Sequence, residues 1–386
     1  MGICPRQGQT RFQTQSDKPN LEKDSIYALK ISIGMIQIRQ KEQLMNGKVV
    51  VVAWAKHSRR AETLATELGG RLSLQYERRL KGLWLTPLRY IVQGWKTWHF
   101  LEQESPEIIV IQAPPVFAAL TIALWCKLRA KVSNKPAAYV VDCHSGSFYS
   151  RWWTWTIPIQ RFLSQRALVT LVASEDALDT LKRWRARGIF LVDGLPELSG
   201  ASGDIGTQGD ARIAVISSFD YDEPLYEIFA AARLLPRVAF YLSGDPQRLP
   251  PKLLKQKPEN AILTGFLPED LYSGLLQNVH GLMVLTTEPN ILNCGAYEAL
   301  AMAKPVVVSD WPQMRRCFTR GFIYVKNTPE AIATGVKKML AERETLTHEI
   351  ILMRSELMMR RQSWFAELIA LLEQRRTDGL ATIRNR

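Results

Sequence analysis

The sequence predicts an α/β protein of two doubly wound, Rossmann-like domains that face each other across a cleft. Three observations support this fold class. Short apolar strands alternate with longer helices, which is the pattern of a parallel sheet covered by helices on its faces. A segment rich in Gly, Ser and Asp, residues 194–211, interrupts the alternation, which then restarts. With 386 residues, 46% of them hydrophobic, the chain can bury two cores.

The first half begins with the buried strand pattern KVVVVAW, and the helix pattern RRAETLATELGG that follows ends at its glycines. Residues 86–106 show helical spacing of the apolar residues Leu88, Ile91, Val92, Trp95, Trp98 and Leu101. The double proline at 114–115 ends the next strand. The predicted strands are 48–54, 71–76, 107–112 and 137–144, and the predicted helices are 59–70, 86–106 and 116–130, with further signals of both kinds to Val192.

The second half repeats the alternation and ends in a long helix. Its predicted strands are 212–219, 238–244, 260–266, 281–287, 305–310 and 322–325, and its predicted helices are 223–235, 268–277, 295–303, 329–342 and 345–375. The predicted organisation is a disordered extension at 1–44, a first domain at 45–193, a linker at 194–211, a second domain at 212–345, and a C-terminal helix and tail at 346–386 that could pack back on the first domain.

Cysteine usage and hydropathy favour a cytoplasmic protein. The five cysteines are scattered and form no CxxC pair, which argues for reduced thiols rather than a disulfide framework or a zinc site. The longest largely apolar run, residues 116–126, is shorter than the roughly 18 residues that a membrane span needs. Residues 1–44 lack the long apolar region of a secretory signal, so no such signal is expected.

Charge and tryptophan are distributed unequally between the two halves. Residues 1–195 hold 28 Lys and Arg against 15 Asp and Glu, whereas residues 196–386 hold 22 of each, and nine of the eleven tryptophans lie in the first half. Tryptophan mixed with Arg and Lys suits the interface of an anionic bilayer, and the alternative is tryptophan packed in the domain core. The predicted membrane contacts are Trp95, Trp98, Trp152, Trp153 and Trp155.

The segment TEPNILNCGAYEALAMAKPVVVSD, residues 287–310, carries the strongest indication of a binding site. It predicts a loop at the end of a strand, followed by a helix whose N-terminus favours a phosphate, with Gly295 allowing a close approach of the ligand. Glu298 could accept two hydroxyl hydrogen bonds from a ribose diol. The alternative, an acidic residue that only complements the helix dipole, is equally compatible with the spacing.

GAYEALAMAKPVVVSD resembles the donor-sugar region of GT-B glycosyltransferases near family 4, and SGD, LTGFLP and NTPEAI resemble further blocks of that family. QAPPVFAAL and DCHSG are similar to the mannosyltransferase that acts on dolichol-linked chitobiose; the resemblance spans 46–375. It implies a GT-B fold, a UDP- or GDP-sugar donor, no tightly bound cofactor and no essential metal. It also implies that the ribose of the donor contacts Glu298, and that its diphosphate and sugar contact Asn293, Cys294, Gly295, Ala296 and Tyr297. Gly265 and Phe266 would lie near the base, and Gly244 and Asp245 would also contact the donor.

The chain also departs from that family pattern. Where relatives often carry a second glutamate it has Asn290, and the nearest earlier acid, Glu288, becomes the candidate for contact with the donor sugar. Relatives often place Arg and Lys after the first strand of the second domain, but this loop reads SSFDYDEP. Neutralisation of the diphosphate must therefore come from backbone N–H groups or from the other domain. The two aspartates of DYD suggest a metal site, although a helix start is the preferred interpretation.

The first domain offers a candidate base and candidate phosphate ligands. In DCHSG, His144 could take a proton from an acceptor hydroxyl, with Asp142 orienting the ring. The alternative is a histidine that only closes a strand end. In the loop AKHSRRAE, Ser58 is a candidate N-cap, and the predicted phosphate or acceptor contacts are His57, Ser58, Arg59 and Arg60, unless this is simply a solvated helix start.

These features together predict a glycosyltransferase that moves a sugar from a nucleotide sugar to an acceptor hydroxyl. A lipid-linked saccharide, or another polysaccharide or glycolipid precursor, at the cytoplasmic face of an anionic membrane would explain the basic, tryptophan-rich half. A catalytically inactive GT-B partner subunit is the main alternative, and a sugar-nucleotide epimerase is a further one. A nucleic-acid-binding protein is less favoured, and no nucleic-acid partner is expected, because the basic residues are spread over several elements and no recognised motif is present.

Overall fold

Two parallel sheets of six strands organise the structure, a computed structural model that describes residues 48–77, 80, 82–132, 137–144, 146–149, 153–196, 198 and 210–384. Both sheets lie in one compact unit of the chain. The predictions for residues 1–44, for Trp152 and for most of the linker at 194–211 concern positions outside the described residues.

The first sheet consists of β1 (Val49–Ala53), β2 (Arg71–Leu74), β3 (Ile108–Ala113), β4 (Ala138–Cys143), β5 (Val169–Val172) and β6 (Gly188–Phe190). Its helices are α1 (Arg59–Glu67), α2 (Thr86–Glu104), α3 (Val116–Val132), α4 (Gly146–Tyr149), α5 (Ile157–Ser164) and α6 (Glu175–Arg183), with 3₁₀ turns at Leu83–Leu85 and Thr154–Thr156. The strand order is β2-β1-β3-β4-β5-β6, so the direction of winding reverses between β1 and β3.

The second sheet consists of β7 (Ala211–Val215), β8 (Val238–Ser243), β9 (Ala261–Gly265), β10 (Gly281–Val284), β11 (Val306–Ser309) and β12 (Phe322–Val325). Its helices are α7 (Leu225–Arg233), α8 (Pro251–Leu254), α9 (Glu269–Asn278), α10 (Cys294–Ala301), α11 (Pro312–Cys317) and α12 (Pro329–Ala341), with a 3₁₀ turn at Pro246–Arg248. The strand order is β12-β11-β10-β7-β8-β9, with the reversal between β7 and β10.

The sheet order decides where a ligand can bind. In open parallel sheets the crevice for a ligand forms at the carboxyl ends of the strands, where the winding reverses. Here those points are the loops after β1 and β3 in the first sheet and after β7 and β10 in the second. The prediction of two doubly wound α/β sheets is confirmed, and the residues that follow these four strands become the first candidates for a site.

The cores explain why the strand sequences are so uniformly apolar. Every residue of β1, β3 and β11 is buried, because helices cover both faces of each sheet and leave no face for polar side chains. The largest fully buried side chains include Trp125 in the first domain and Phe229 and Phe240 in the second.

The final helix, α13 (Arg343–Arg384), is longer than the predicted helix at 345–375. It contacts α10 and α12 in the second domain and β6 in the first. The Arg361 guanidinium donates to both carboxylate oxygens of Glu67 in α1, at 2.5 and 2.7 Å. The Trp364 ring lies edge-on to Phe190, with ring centroids 4.6 Å apart. The helix therefore fastens the two domains to each other.

Helix α2 buries two polar side chains and exposes three apolar ones on its opposite side, although Leu101 near its end is fully buried. Gln93 and Thr97 are buried: Gln93 donates to the Gln75 carbonyl at 2.7 Å, and Thr97 accepts from the Trp54 indole N–H at 2.9 Å. On the opposite side, the exposed fractions of Leu88, Ile91 and Trp95 are 48%, 68% and 67%. Nothing in the described part of the chain reaches the length and hydropathy of a membrane-spanning helix.

Candidate active site

A cleft of about 720 Å³ opens where the carboxyl ends of the two sheets meet, which is within the usual range for a small-molecule site. Its walls come from the loops after β1 and β3, and from the segments that follow β7, β9 and β10. Of the predicted site residues, the cleft brings together His57, Ser58, Arg59, Arg60, His144, Gly265, Phe266, Cys294, Tyr297 and Glu298. Asp142, Asn293, Gly295, Ala296, Gly244, Asp245 and Glu288 do not line it.

Glu298 is a buried carboxylate at the centre of this cleft, with only 6% of its surface exposed. Arg59 Nη1, from the first domain, donates to Glu298 Oε1 at 3.2 Å, and the Tyr272 hydroxyl donates to Glu298 Oε2 at 2.5 Å. Burial raises the pKa of Glu298 above its ordinary value, while the Tyr272 hydrogen bond and the Arg59 charge act in the opposite direction. Tyr272 is a functional candidate that the sequence interpretation missed.

Of the four residues before Glu298, two pack in the protein interior and two line the cleft. A Cβ at Gly295 would lie 2.8 Å from Val284 Cγ2, so this glycine is required by the contact of α10 with β10 and not, as predicted, by the approach of a ligand. Ala296 is fully buried in the same contact. Cys294 is exposed at the cleft, and the buried Tyr297 forms part of its floor.

Asn293 and Glu288 lie outside the cleft lining. Asn293 is the N-terminal cap residue of α10, and its buried Oδ1 has no hydrogen-bond partner among the described residues. Glu288 follows β10, and its N–H donates to the Thr286 hydroxyl at 3.1 Å. Asn290, at the position of the family's second glutamate, instead borders a smaller recess beside His144.

Gly265 and Phe266, predicted to lie near the base, line the cleft, whereas Gly244 and Asp245 have roles in the backbone structure. Gly265 has a left-handed backbone with φ of 69° and opens toward the cleft, and the exposed fraction of Phe266 beside it is 72%. Gly244, with φ of 106°, lies against the Ser217 carbonyl, where a Cβ would approach to 2.8 Å. Asp245 accepts from the Gln247 N–H at 3.0 Å and so starts a 3₁₀ turn, a role that differs from the predicted donor contact.

The acidic loop after β7 is folded around its own carboxylate. Glu223 accepts hydrogen bonds from the backbone N–H groups of Ser218 and Phe219, at 2.8 and 3.1 Å, and from both serine hydroxyls of the loop. The neighbouring Asp220 pairs with Arg248 at 3.1 Å, and Asp222 accepts from Thr286 at 2.8 Å. Within the described ranges, no group of three acidic, His or Cys side chains could hold a metal ion.

Arg60 is a buried structural residue and not the predicted phosphate ligand. Its guanidinium donates to both oxygens of Asp142, at 2.7 to 2.9 Å, to Asp193 at 2.6 Å and to the Leu191 carbonyl at 3.0 Å. Burial acts to lower the pKa of Arg60, but the charges of Asp142 and Asp193 and their hydrogen bonds to the guanidinium together outweigh it, so the pKa is raised. The network joins α1 to the ends of β4 and β6 beneath the cleft.

His144 stands at the cleft wall without the carboxylate partner that was predicted. Asp142, which lies within β4, is engaged by Arg60, and the side-chain amide of Gln112 contacts His144 Nε2 instead. Burial lowers the pKa of His144 below its ordinary value, so the ring is neutral at neutral pH. A neutral imidazole can accept a proton at its unprotonated ring nitrogen, and because the Gln112 amide nitrogen lies on Nε2, this contact must open before Nε2 can do so.

The remaining first-domain predictions are placed as follows. Ser58 caps α1 by accepting from the Ala61 N–H at 3.2 Å, and His57 is exposed beside it. Trp95 and Trp155 are exposed, with exposed fractions of 67% and 63%. Trp98 packs against the core of the first domain, so its predicted membrane contact is not supported by its position, and Trp153 is half-buried.

Residues 211–342, which include Glu298 and the second sheet, match the family described as Glycosyl transferases group 1. No curated protein matches the sequence significantly. Because the matched segment contains α9 and α10, the family match and the cleft geometry concern the same residues.

Solved structures with the same fold span most of the chain at low sequence identity. HepE of Anabaena, in complex with UDP and glucose, has 13% identity and a TM-score of 0.64, covering 88% of this chain and 95% of its own. Sucrose-phosphate synthase from Thermosynechococcus elongatus has 12% identity and a TM-score of 0.62, covering 87% and 100%. A glycosyltransferase from Rickettsia africae has 11% identity and a TM-score of 0.56, covering 83% and 98%.

These findings confirm two predictions. The structural similarity confirms the GT-B fold of two Rossmann-like domains. The family match confirms the predicted enzyme class, a glycosyltransferase, through the second domain. The finer resemblance to family 4 and to the mannosyltransferase of dolichol-linked chitobiose stays a prediction, as do the roles of individual residues.

Proposed function

We propose that this protein transfers a sugar from a nucleotide-sugar donor, held mainly by the second domain, to a hydroxyl of an acceptor that enters from the first domain. The observation that carries the proposal is Glu298, a buried carboxylate in a cleft of substrate size, within the segment that matches group 1 glycosyltransferases. A buried carboxylate with one oxygen on a tyrosine and the other on a half-exposed arginine is suited to binding a diol.

The reaction would use the two walls of the cleft for different steps. The ribose lies on Glu298, the base lies near the exposed ring of Phe266, and the diphosphate lies toward the N-terminus of α10. The acceptor hydroxyl attacks the anomeric carbon, the bond from that carbon to the diphosphate breaks, and the nucleoside diphosphate leaves. Neutral His144 takes the hydroxyl proton, and closure around the substrates excludes the water that would hydrolyse the donor.

We further propose that the acceptor is lipid-linked and that the first domain rests on an anionic membrane surface. The support is the outward apolar side of α2, together with exposed Leu120, Leu124 and Leu128 on α3 and the excess of Lys and Arg over Asp and Glu in residues 1–195. Exposed apolar stripes beside cations suit the headgroup region of such a bilayer. A cytoplasmic location, peripheral to the membrane, follows from the same proposal.

The donor-site proposal is tested by calorimetry and thermal shift with UDP, GDP and ADP. UDP is the first ligand to test, because HepE, which shares the fold, binds it. We expect one nucleotide to raise the melting temperature of the wild type, and Glu298→Ala to lower its affinity roughly tenfold to hundredfold through the lost ribose hydrogen bonds. Glu356→Gln, which removes one partner of the exposed pair with Arg320, is the matched control.

The second candidate is an inactive GT-B partner subunit. It is favoured by Asn290 at the place of a family glutamate and by the acidic loop 217–223, whose N–H groups are occupied by Glu223. Folded wild-type protein that binds none of the three nucleotides would exclude the transferase proposal and support this one.

A further inference from the structure

The donor diphosphate needs positive charge that the second domain does not offer at the usual place. The loop after β7 carries Asp220, Asp222 and Glu223, and the Glu223 carboxylate already occupies the N–H groups of Ser218 and Phe219. An anion entering this loop would meet like charge and would have to displace a carboxylate that accepts several hydrogen bonds. Charge for the diphosphate must therefore come from another wall of the cleft.

Two arginines of the first domain reach the cleft, and only one of them can move. Arg60 is buried, and its guanidinium is engaged by Asp142, Asp193 and a backbone carbonyl. Extracting it would leave two carboxylates without their partner, which is costly for buried groups. The Arg59 side chain is half-exposed, and among the described residues it pairs across the cleft with Glu298, at 3.2 Å.

We propose that Arg59 binds the donor diphosphate, and that it leaves Glu298 when the donor enters, which frees that carboxylate for the ribose. The inference rests on the proposed function. It assigns to the first domain the positive charge that neutralises the diphosphate, which relatives often take from Arg and Lys of the second domain. Arg59 begins α1 directly after the cap residue Ser58, so the N-terminus of that helix faces the same anion.

The geometry couples two events, the release of Glu298 by Arg59 and the binding of the donor diphosphate by Arg59. Without donor, the Arg59 charge compensates the buried Glu298 carboxylate across the cleft. With donor, the same guanidinium can turn to the diphosphate oxygens, for which its planar donor pattern is suited. The ribose hydroxyls then replace the hydrogen bond that Glu298 loses. Donor binding would thereby draw α1 of the first domain toward α10 of the second.

The test is a double-mutant cycle on nucleotide affinity, measured by calorimetry with UDP, GDP and ADP on full-length protein. The variants are Arg59→Met, Glu298→Gln and the double variant, with Arg71→Met as control because Arg71 forms an exposed ion pair with Glu104 outside the cleft. If Arg59 contacts the diphosphate, Arg59→Met lowers the affinity roughly tenfold to hundredfold, both in the wild type and in the Glu298→Gln background. Arg59→Lys should recover part of the loss, and Arg71→Met should bind as the wild type does.

Each other outcome overturns a specific statement. If the double variant binds as tightly as Glu298→Gln alone, Arg59 acts only by compensating Glu298, and the inference fails while the donor site stands. If Arg59→Met binds as the wild type does, the inference fails in the same way. If the folded wild type binds none of the three nucleotides, the proposed function fails, and this inference fails with it.

Discussion

His144 is the residue whose environment gives the sharpest kinetic prediction. Burial lowers its pKa, so the ring stays neutral, and able to accept a proton, to a lower pH than an ordinary histidine with a pKa of about 6.5. The rate of transfer should therefore fall on the acid side with a midpoint below that value. His144→Gln should lower kcat at least roughly 100-fold and abolish this acid limb, with little change in nucleotide affinity.

The control for this prediction is His348→Gln, an exposed position on α13 that does not line the cleft. Its pH profile should equal that of the wild type. A His144→Gln enzyme with an unchanged acid limb would exclude His144 as the base and direct attention to other titratable groups of the cleft.

At the residue scale, local patterns were predictable and long-range partners were not. Glu298 and its helix could be identified because strand, loop and helix are contiguous in sequence. The pairing of Arg60 with Asp142 and Asp193 joins positions 82 and 133 residues apart, so the sequence suggested two free arginines and a carboxylate beside a histidine. Arg60 and Asp142 were predicted to take part in ligand binding or catalysis, but in the folded chain both are buried and paired with each other. Their role is therefore structural.

At the scale of the element, the orientation of α2 is the main departure from expectation. Helical spacing of Leu88, Ile91 and Trp95 correctly predicts a helix, and such a stripe ordinarily faces the core. Here Gln93 and Thr97 face inward, because the Trp54 indole and the Gln75 carbonyl beneath the helix need hydrogen-bond partners. Periodicity defines two faces of a helix but not which one is buried: Trp95 and Trp98 were both predicted to face outward, and the structure leaves Trp95 exposed but packs Trp98 against the core.

The α2 stripe gives a prediction for membrane binding. In vesicle co-sedimentation, Ile91→Ser with Trp95→Ser should lower the affinity for vesicles rich in an anionic phospholipid at least roughly tenfold, because two apolar side chains no longer enter the headgroup region. The free energy of unfolding should change little, since both side chains are exposed. Wild-type binding should also weaken with added salt, as cations contribute to it.

The matched control replaces two exposed residues of the second domain by serine: Tyr226, within α7, and Leu234, at the C-terminal end of that helix. This variant should bind vesicles like the wild type. Equal binding by the α2 variant, or equal binding to vesicles without anionic lipid, would contradict the proposed membrane surface and leave the donor-site proposal untouched.

At the scale of the whole molecule, catalysis across the cleft requires that the two domains keep a defined relation. The sequence predicted two sheets and a long terminal helix correctly, because each is encoded by a continuous periodic pattern. It also suggested that this helix could pack back on the first domain, but not that Arg361 and Trp364 would make the contacts, since Glu67 lies 294 residues from Arg361. The ion pair is largely shielded from solvent, with 14% and 26% of the side chains exposed, so it can contribute more than a surface pair.

Arg361→Met should therefore lower the free energy of unfolding by about 1–3 kcal/mol in urea denaturation, because Glu67 and the Val192 carbonyl lose their shared donor. Since the lost contacts join the domains rather than stabilise either core, the single unfolding transition should broaden or divide into two. Arg320→Met, which breaks an exposed pair with Glu356, should cost less than about 1 kcal/mol and keep the transition unchanged. If Arg361→Met unfolds like the control, α13 does not hold the domains together through this pair. The domain arrangement that allows Arg59 to move from Glu298 to the diphosphate must then depend on other contacts.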